Sequence, residues 1–160
     1  MIKEEIRKET EKPVVVDKSI RRGIGLGIQT GALMGLYLIG LDALNLMDNI
    51  ALKFAKYLVL IAFLGFALKN LKDALPKGEL FRNGMQLGAY LTVAAGLSLF
   101  AINLFAFLIS PELVFEKFNL NPDGLGDTLV IGVAVFFETL VAGLVSTFIW
   151  LQFYKSRKDY

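Results

Sequence analysis

The chain has 160 residues, 55% of them hydrophobic before its 15 glycines are counted, and a formal net charge of +2. Soluble domains carry about 45–50% apolar residues with glycine included, so the excess here must be solvated by lipid. The absence of Cys and His excludes disulfide scaffolds, thiol nucleophiles, thiolate and most zinc sites, His-ligated haem and the Ser-His-Asp triad.

Residues 1–22 form a charged arm. Lys3, Arg7, Lys8, Lys12, Lys18, Arg21 and Arg22 stand there against Glu4, Glu5, Glu9, Glu11 and Asp17, and Pro13 with Val14 to Val16 is expected to break any continuous amphipathic helix. A solvated tail is the simplest reading, with a partner-binding or lipid-surface arm as the alternative. No cleavable signal peptide is visible, so the first apolar run reads as an uncleaved signal anchor.

A membrane span needs roughly 20 mostly apolar residues. Four segments meet that test, at about 23–41, 50–68, 84–110 and 128–154, followed by a basic tail at 155–160. Lys53 and Lys56 lie near the start of the second span, where long stems can snorkel to water. The expected fold is all-α and integral to the membrane, with four transmembrane helices as two antiparallel hairpins.

Lys and Arg number seven before span one, four between spans two and three (Lys69, Lys72, Lys77, Arg82) and three after span four (Lys155, Arg157, Lys158), which places fourteen on one side. The other side has Lys53, Lys56 and Lys117. The positive-inside rule therefore puts both termini in the cytoplasm. Trp150, Phe153 and Tyr154, just before the last basic cluster, read as an interfacial aromatic anchor. The net charge comes from these cytoplasmic flanks and needs no nucleic-acid partner.

Span one carries Gly23, Gly27, Gly31 and Gly35, and span three carries Gly84, Gly88, Thr92 and Gly96 at the same spacing of four. Small residues at i and i+4 let two helix backbones approach closely, which matters in lipid, where packing replaces the hydrophobic drive between helices. Such ladders usually meet each other inside one bundle, and the alternative is that one of them faces a partner chain. The two halves also share a basic start to the ladder (Arg22, Arg82) and a basic exit (Lys69 to Asp73, Lys155 to Asp159), the pattern of two hairpins related as parallel repeats. Motifs this short also recur by chance in an apolar background.

Glu138 interrupts span four near its middle, where an ionisable side chain is by default a functional hypothesis. One reading makes it a protonatable proton or cation site. The other makes it a structural partner of Lys56, about one turn inside the same outer leaflet, or of Asn103 on span three. Gln29 and Gln86, toward the cytoplasmic ends of their spans, are expected to bond across helices. In the outer loop, about 110–127, Asn119, Asn121, Asp123 and Gly124 are spaced like the first half of a calcium loop, but the twelfth position is Val130 rather than Glu. Asn-Pro-Asp-Gly is then simply a good turn. No phosphate loop, nucleophile elbow or catalytic carboxylate pair is present. No metal and no cofactor is expected.

The stretch Ala67 to Asp73, then Leu80 to Gly88, ending at Ser110, Pro111 and Glu112, resembles the middle of a family of small bacterial four-helix membrane proteins, catalogued as domain of unknown function 4199. The shared features are a basic exit from helix two, a Phe-x-x-Gly-x-x-x-Gly start to helix three, and a Pro-Glu at that helix's outer end. The loop before span four is shorter here than in typical members. The resemblance implies an inner-membrane protein with no catalytic residues. Taken together, the sequence predicts a non-enzymatic membrane subunit that packs against a membrane-protein partner or a second copy of itself. The alternative is a small proton- or ion-coupled transporter using Glu138, and a membrane-bound enzyme acting on a lipid or quinone comes last.

Overall fold

The computed structural model describes residues 2–46, 48–75, 79–109 and 125–156, with side chains over 20–46, 48–75, 79–109 and 126–154. It consists of four helices, α1 (Ile2–Ala43), α2 (Ile50–Ala74), α3 (Leu80–Ile109) and α4 (Leu125–Ser156), with no strand among the described residues. Each contains a stretch long and apolar enough to cross a membrane: Ile20–Ala43, Ile50–Ala74, Leu80–Ile109 and Gly126–Tyr154. The chain is thus a multi-pass, all-helical membrane protein by length and composition. Leu36, Leu58, Phe66, Phe105 and Val141 each expose more than half their surface, which water would penalise and lipid tails accept.

Two boundaries differ from the sequence expectation. Pro13 does not break the arm, because α1 is continuous from Ile2 into its membrane span. A proline inside a helix removes one backbone hydrogen bond and costs about 3 kcal/mol, and here the turns on either side carry the backbone through. The second span runs past Leu68 to Ala74 because Leu68 and Leu71 both lie on the buried face, so packing extends the helix beyond the first basic residues.

The connection between α1 and α2 is short and defined by two asparagines. Asn45 takes a left-handed φ of 54°, and the Leu46 N–H bonds back to the Leu41 carbonyl at 2.9 Å, which closes the C-terminus of α1. Asn49 then caps α2, its Oδ1 accepting from the Ala51 N–H at 3.1 Å and the Leu52 N–H at 3.4 Å.

Helix α3 is the centre of the bundle. It packs along its length against α1 on one side and α4 on the other, while α2 closes against all three and, among the described residues, α1 and α4 do not touch. Along α1 and α3 the facing positions rise together, from Gly23 opposite Leu87 through Gly31 opposite Ala95 to Gly35 opposite Ile102. Along α3 and α4 they run oppositely, Gly84 facing Leu151, Gly88 facing Thr147 and Gly96 facing Phe136. Met34, Leu38, Leu60, Leu64, Leu91, Leu99, Ile131 and Leu151 fill the space between the helices.

The two small-residue ladders do not meet each other, contrary to expectation. The glycines of α1 lie on Leu87, Leu91, Ala95 and Ser98, whereas the α3 ladder faces away from α1 and receives α4. A helix between two neighbours needs two smooth faces, and α3 presents Ala94 and Ala95 to α1 and its glycines to α4. Both ladders are used inside the chain.

Candidate functional site

Glu138 and Lys56 are the charged groups that the fold places deep among the spans. The Lys56 Nζ lies 3.9 Å from the Glu138 Oε2, and Lys56 is 1% exposed while Glu138 is 31% exposed. Depth follows from the register of α1 and α2. The Tyr37 hydroxyl donates to the Leu52 carbonyl at 2.9 Å, so Lys56, one turn further along α2, is roughly level with Leu33. The apolar part of α1 runs Ile20–Ala43, which puts its midpoint between Gly31 and Ala32. Lys56 therefore sits near the middle of the bundle. It does not snorkel to water as its position near the start of α2 suggested, because its face of the helix points inward, with the ammonium 5.1 Å from the centre of the Tyr57 ring.

The exposed part of Glu138 opens into a groove of about 610 Å³ between α2 and α4. Phe54, Tyr57 and Ile61 form one wall, and Val141 and Val145 the other. Ser146 also lines it, but its hydroxyl donates to the Ala142 carbonyl of its own helix at 2.7 Å. The groove is thus an apolar slot with one carboxylate in it.

Asn103 is 3% exposed on α3, and neither atom of its amide has a hydrogen-bond partner among the described residues. Its Nδ2 lies against Gly132 of α4, where an added Cβ would be 3.4 Å away, so the amide is lodged between α3 and α4. The sequence offered it as a partner of Glu138, and the structure pairs Glu138 with Lys56 instead. Thr92, in the α3 ladder, is fully buried against Gly143.

Gln29 and Gln86 both face outward, away from the other helices. Neither bonds across helices among the described residues, and the bond that α3 makes to α1 comes from Ser98, whose Oγ donates to the Ile28 carbonyl at 3.3 Å. Gln29 is two to three residues from the midpoint of the apolar part of α1, about 4 Å along the axis.

The aromatic cluster also turns inward. The Trp150 Nε1–H donates to the Ile61 carbonyl at 3.1 Å and the Tyr154 hydroxyl to the Gly65 carbonyl at 3.0 Å, tying α4 to α2. The two rings stack with centroids 5.5 Å apart, and Lys72 places its Nζ 5.2 Å above Tyr154. Phe153 alone of the three stays exposed. Gly65 makes room for this arrangement, because a Cβ there would meet the Trp150 ring at 2.7 Å.

Sequence reasoning missed Gly65, Gly132, Gly143 and Ser98 as contact positions. A signal existed on α4, where Thr139, Gly143 and Thr147 repeat the spacing of four, but two hydroxyl residues disguise it. Thr139 and Thr147 bond to the carbonyls four residues back, at 2.8 and 2.7 Å, so their hydroxyls are satisfied within α4, and Thr147 lies against Gly88 of α3 with both its methyl and its hydroxyl. The outer loop with Asn119, Asn121, Asp123 and Gly124, and the tail with Arg157 and Lys158, lie outside the described residues. Among the described residues no group of acids could hold a metal ion.

No family model, no curated protein and no solved structure matches this chain.

Proposed function

We propose that this chain is a non-catalytic integral membrane subunit that associates laterally with another membrane protein or a second copy of itself. The observation that carries this reading is Gln29. Its amide is exposed near the middle of a span, too deep for a side chain of its length to reach water, and no described residue satisfies it. A polar group left unbonded in hydrocarbon costs several kcal/mol, and a helix from another chain removes that cost with an amide, hydroxyl or carbonyl. Gly25 is one turn away on the same face, with nothing within 4 Å of where its Cβ would stand, so a second helix could come close there. The glycines of the ladders are already covered within the chain and do not serve this contact.

In this reading the helices form two antiparallel hairpins with both termini in the cytoplasm, at the inner membrane of a bacterium. The fourteen to three division of basic residues supports the orientation, and the four apolar helices support the membrane. Extracted in mild detergent, the protein should run as a particle heavier than its own 17.7 kDa by light scattering corrected for detergent. Gln29→Leu should shift the protein mass toward the single chain. A wild-type particle of one chain, or a Gln29→Leu particle of unchanged mass, removes the proposal.

A second reading, proton- or ion-coupled transport through Glu138, is favoured by one observation, the opening of that carboxylate into the α2/α4 groove. It expects vesicles containing the protein to take up protons faster than empty vesicles under an imposed potential, and Glu138→Gln to abolish the difference. Equal uptake with and without wild-type protein removes proton coupling.

A further inference from the structure

Arg22 and Asn70 line a crevice of about 60 Å³ between α1, α2 and α3, at the end of the bundle where α2 ends and α3 begins. Leu26, Ala67, Leu71 and Leu87 form its apolar floor and walls. Arg22 lies in the first turn of the apolar part of α1 and Asn70 belongs to the last turns of α2, so the crevice is at the depth where hydrocarbon gives way to headgroups. Among the described residues no carboxylate pairs with the Arg22 guanidinium. Among the described residues Arg22, Lys69, Lys72 and Arg82 stand around this rim with Asp73 and Glu79.

We propose that this crevice is a binding site for the headgroup phosphate of an anionic phospholipid in the leaflet on the side of the termini. A guanidinium presents a planar pair of N–H donors that matches two phosphate oxygens, and the Asn70 amide adds a further donor beside it. The surplus of positive charge at the rim raises the local concentration of anionic lipid, and the crevice converts that general attraction into a located contact. The apolar walls select a lipid over free phosphate, because Leu26 and Ala67, each about one turn deeper than Arg22 and Asn70, continue the crevice toward the hydrocarbon, where an acyl chain can follow the headgroup.

The test uses the full chain in phosphatidylcholine nanodiscs. Phosphatidylglycerol, further phosphatidylcholine or inorganic phosphate is titrated in, and retained lipid is read by native mass spectrometry. The wild type should retain phosphatidylglycerol about fivefold more strongly than phosphatidylcholine, the effect of one cation near a membrane surface. Arg22→Gln should lose that preference, Arg22→Lys should keep part of it, and Arg82→Gln, on the same rim but outside the crevice, should keep it. Asn70→Leu tests the same crevice without touching the charge and should weaken retention as well. Melting of each variant in phosphatidylcholine alone, at the wild-type temperature, establishes that the fold is intact. No preference in the wild type, or full preference in both Arg22→Gln and Asn70→Leu, overturns the site. Equal losses from Arg22→Gln and Arg82→Gln would mean a diffuse surface field with no located contact, and displacement of the lipid by equimolar inorganic phosphate would make soluble phosphate the ligand. Either of these results overturns the proposal.

Discussion

Glu138→Leu should destabilise the folded chain by about 3 kcal/mol or more, because it removes the carboxylate 3.9 Å from an ammonium that is 1% exposed. Lys56→Met should cost a similar amount by leaving the carboxylate in an apolar groove without that ammonium. The double variant should recover most of the loss, since both charges leave together and Leu and Met fill comparable volume in a core already made of Leu60, Leu64 and Ile131. The measurement is a double-mutant cycle on reversible unfolding in mixed micelles, with the coupling energy as the quantity of interest. A coupling of about 2 kcal/mol or more identifies an ion pair that joins α2 to α4. A coupling near zero shows that the two groups are close without depending on each other. The same cycle bears on transport, because a carboxylate held by a lysine must first be released before it can carry a proton across.

The four spans were legible in the sequence because crossing a bilayer imposes a length and a composition, and both can be read residue by residue. The glycine spacing was legible too, but only as a promise of close approach. It does not name the neighbour. Which helix covers Gly27 depends on Leu91 and Ala95, residues that look like any other part of an apolar span. The partner of Gly88 is Thr147, whose hydroxyl is satisfied by the Gly143 carbonyl, so that both of its branches can lie against the glycine. A hydroxyl residue in the sequence reads as polar, and that local bond is what makes it smooth.

The position of Lys56 misled for a related reason. Lys56 lies less than two turns from the start of α2, which in an isolated helix would let it reach water, but α2 is set against α1 so that this position is already deep. Trp150 and Tyr154 have the composition of an interface belt, and their hydrogen bonds go instead to carbonyls of α2 that Gly65 leaves accessible. The direction of a side chain around its helix axis is settled by packing, and packing is the information a single sequence does not carry. Gln29 is the converse. Its residue type suggested a bond across helices, and its side chain faces outward, away from the other three.

Gly27→Ala combined with Gly31→Ala should separate α1 from α3, with a loss of several kcal/mol, whereas Gly25→Ala should leave the stability of the single chain unchanged or slightly higher. A methyl group at position 27 would meet the Leu91 carbonyl oxygen, and also the Ala94 Cβ at 2.7 Å, while one at position 31 would meet the Ala95 carbonyl oxygen and the Ser98 Cβ at 2.7 Å. These obstacles are helix backbone and first side-chain atoms, which cannot rotate aside, so the helices themselves must move. Overpacking of this kind costs about 1–3 kcal/mol per site. The two costs should add less than fully, because one displacement of α1 relieves both contacts. The shift should also lengthen the bond from Ser98 to the Ile28 carbonyl, now 3.3 Å. Position 25 has nothing within 4 Å, and alanine there only improves the local helix preference. Unfolding of the two variants and the wild type as single chains measures the contrast, and equal stability of the double variant and wild type would mean that α1 does not lie on α3 as described. A larger residue at the open position separates folding from assembly. Gly25→Leu should leave unfolding of the single chain near wild type and reduce the mass of the extracted particle, because position 25 faces whatever covers Gln29.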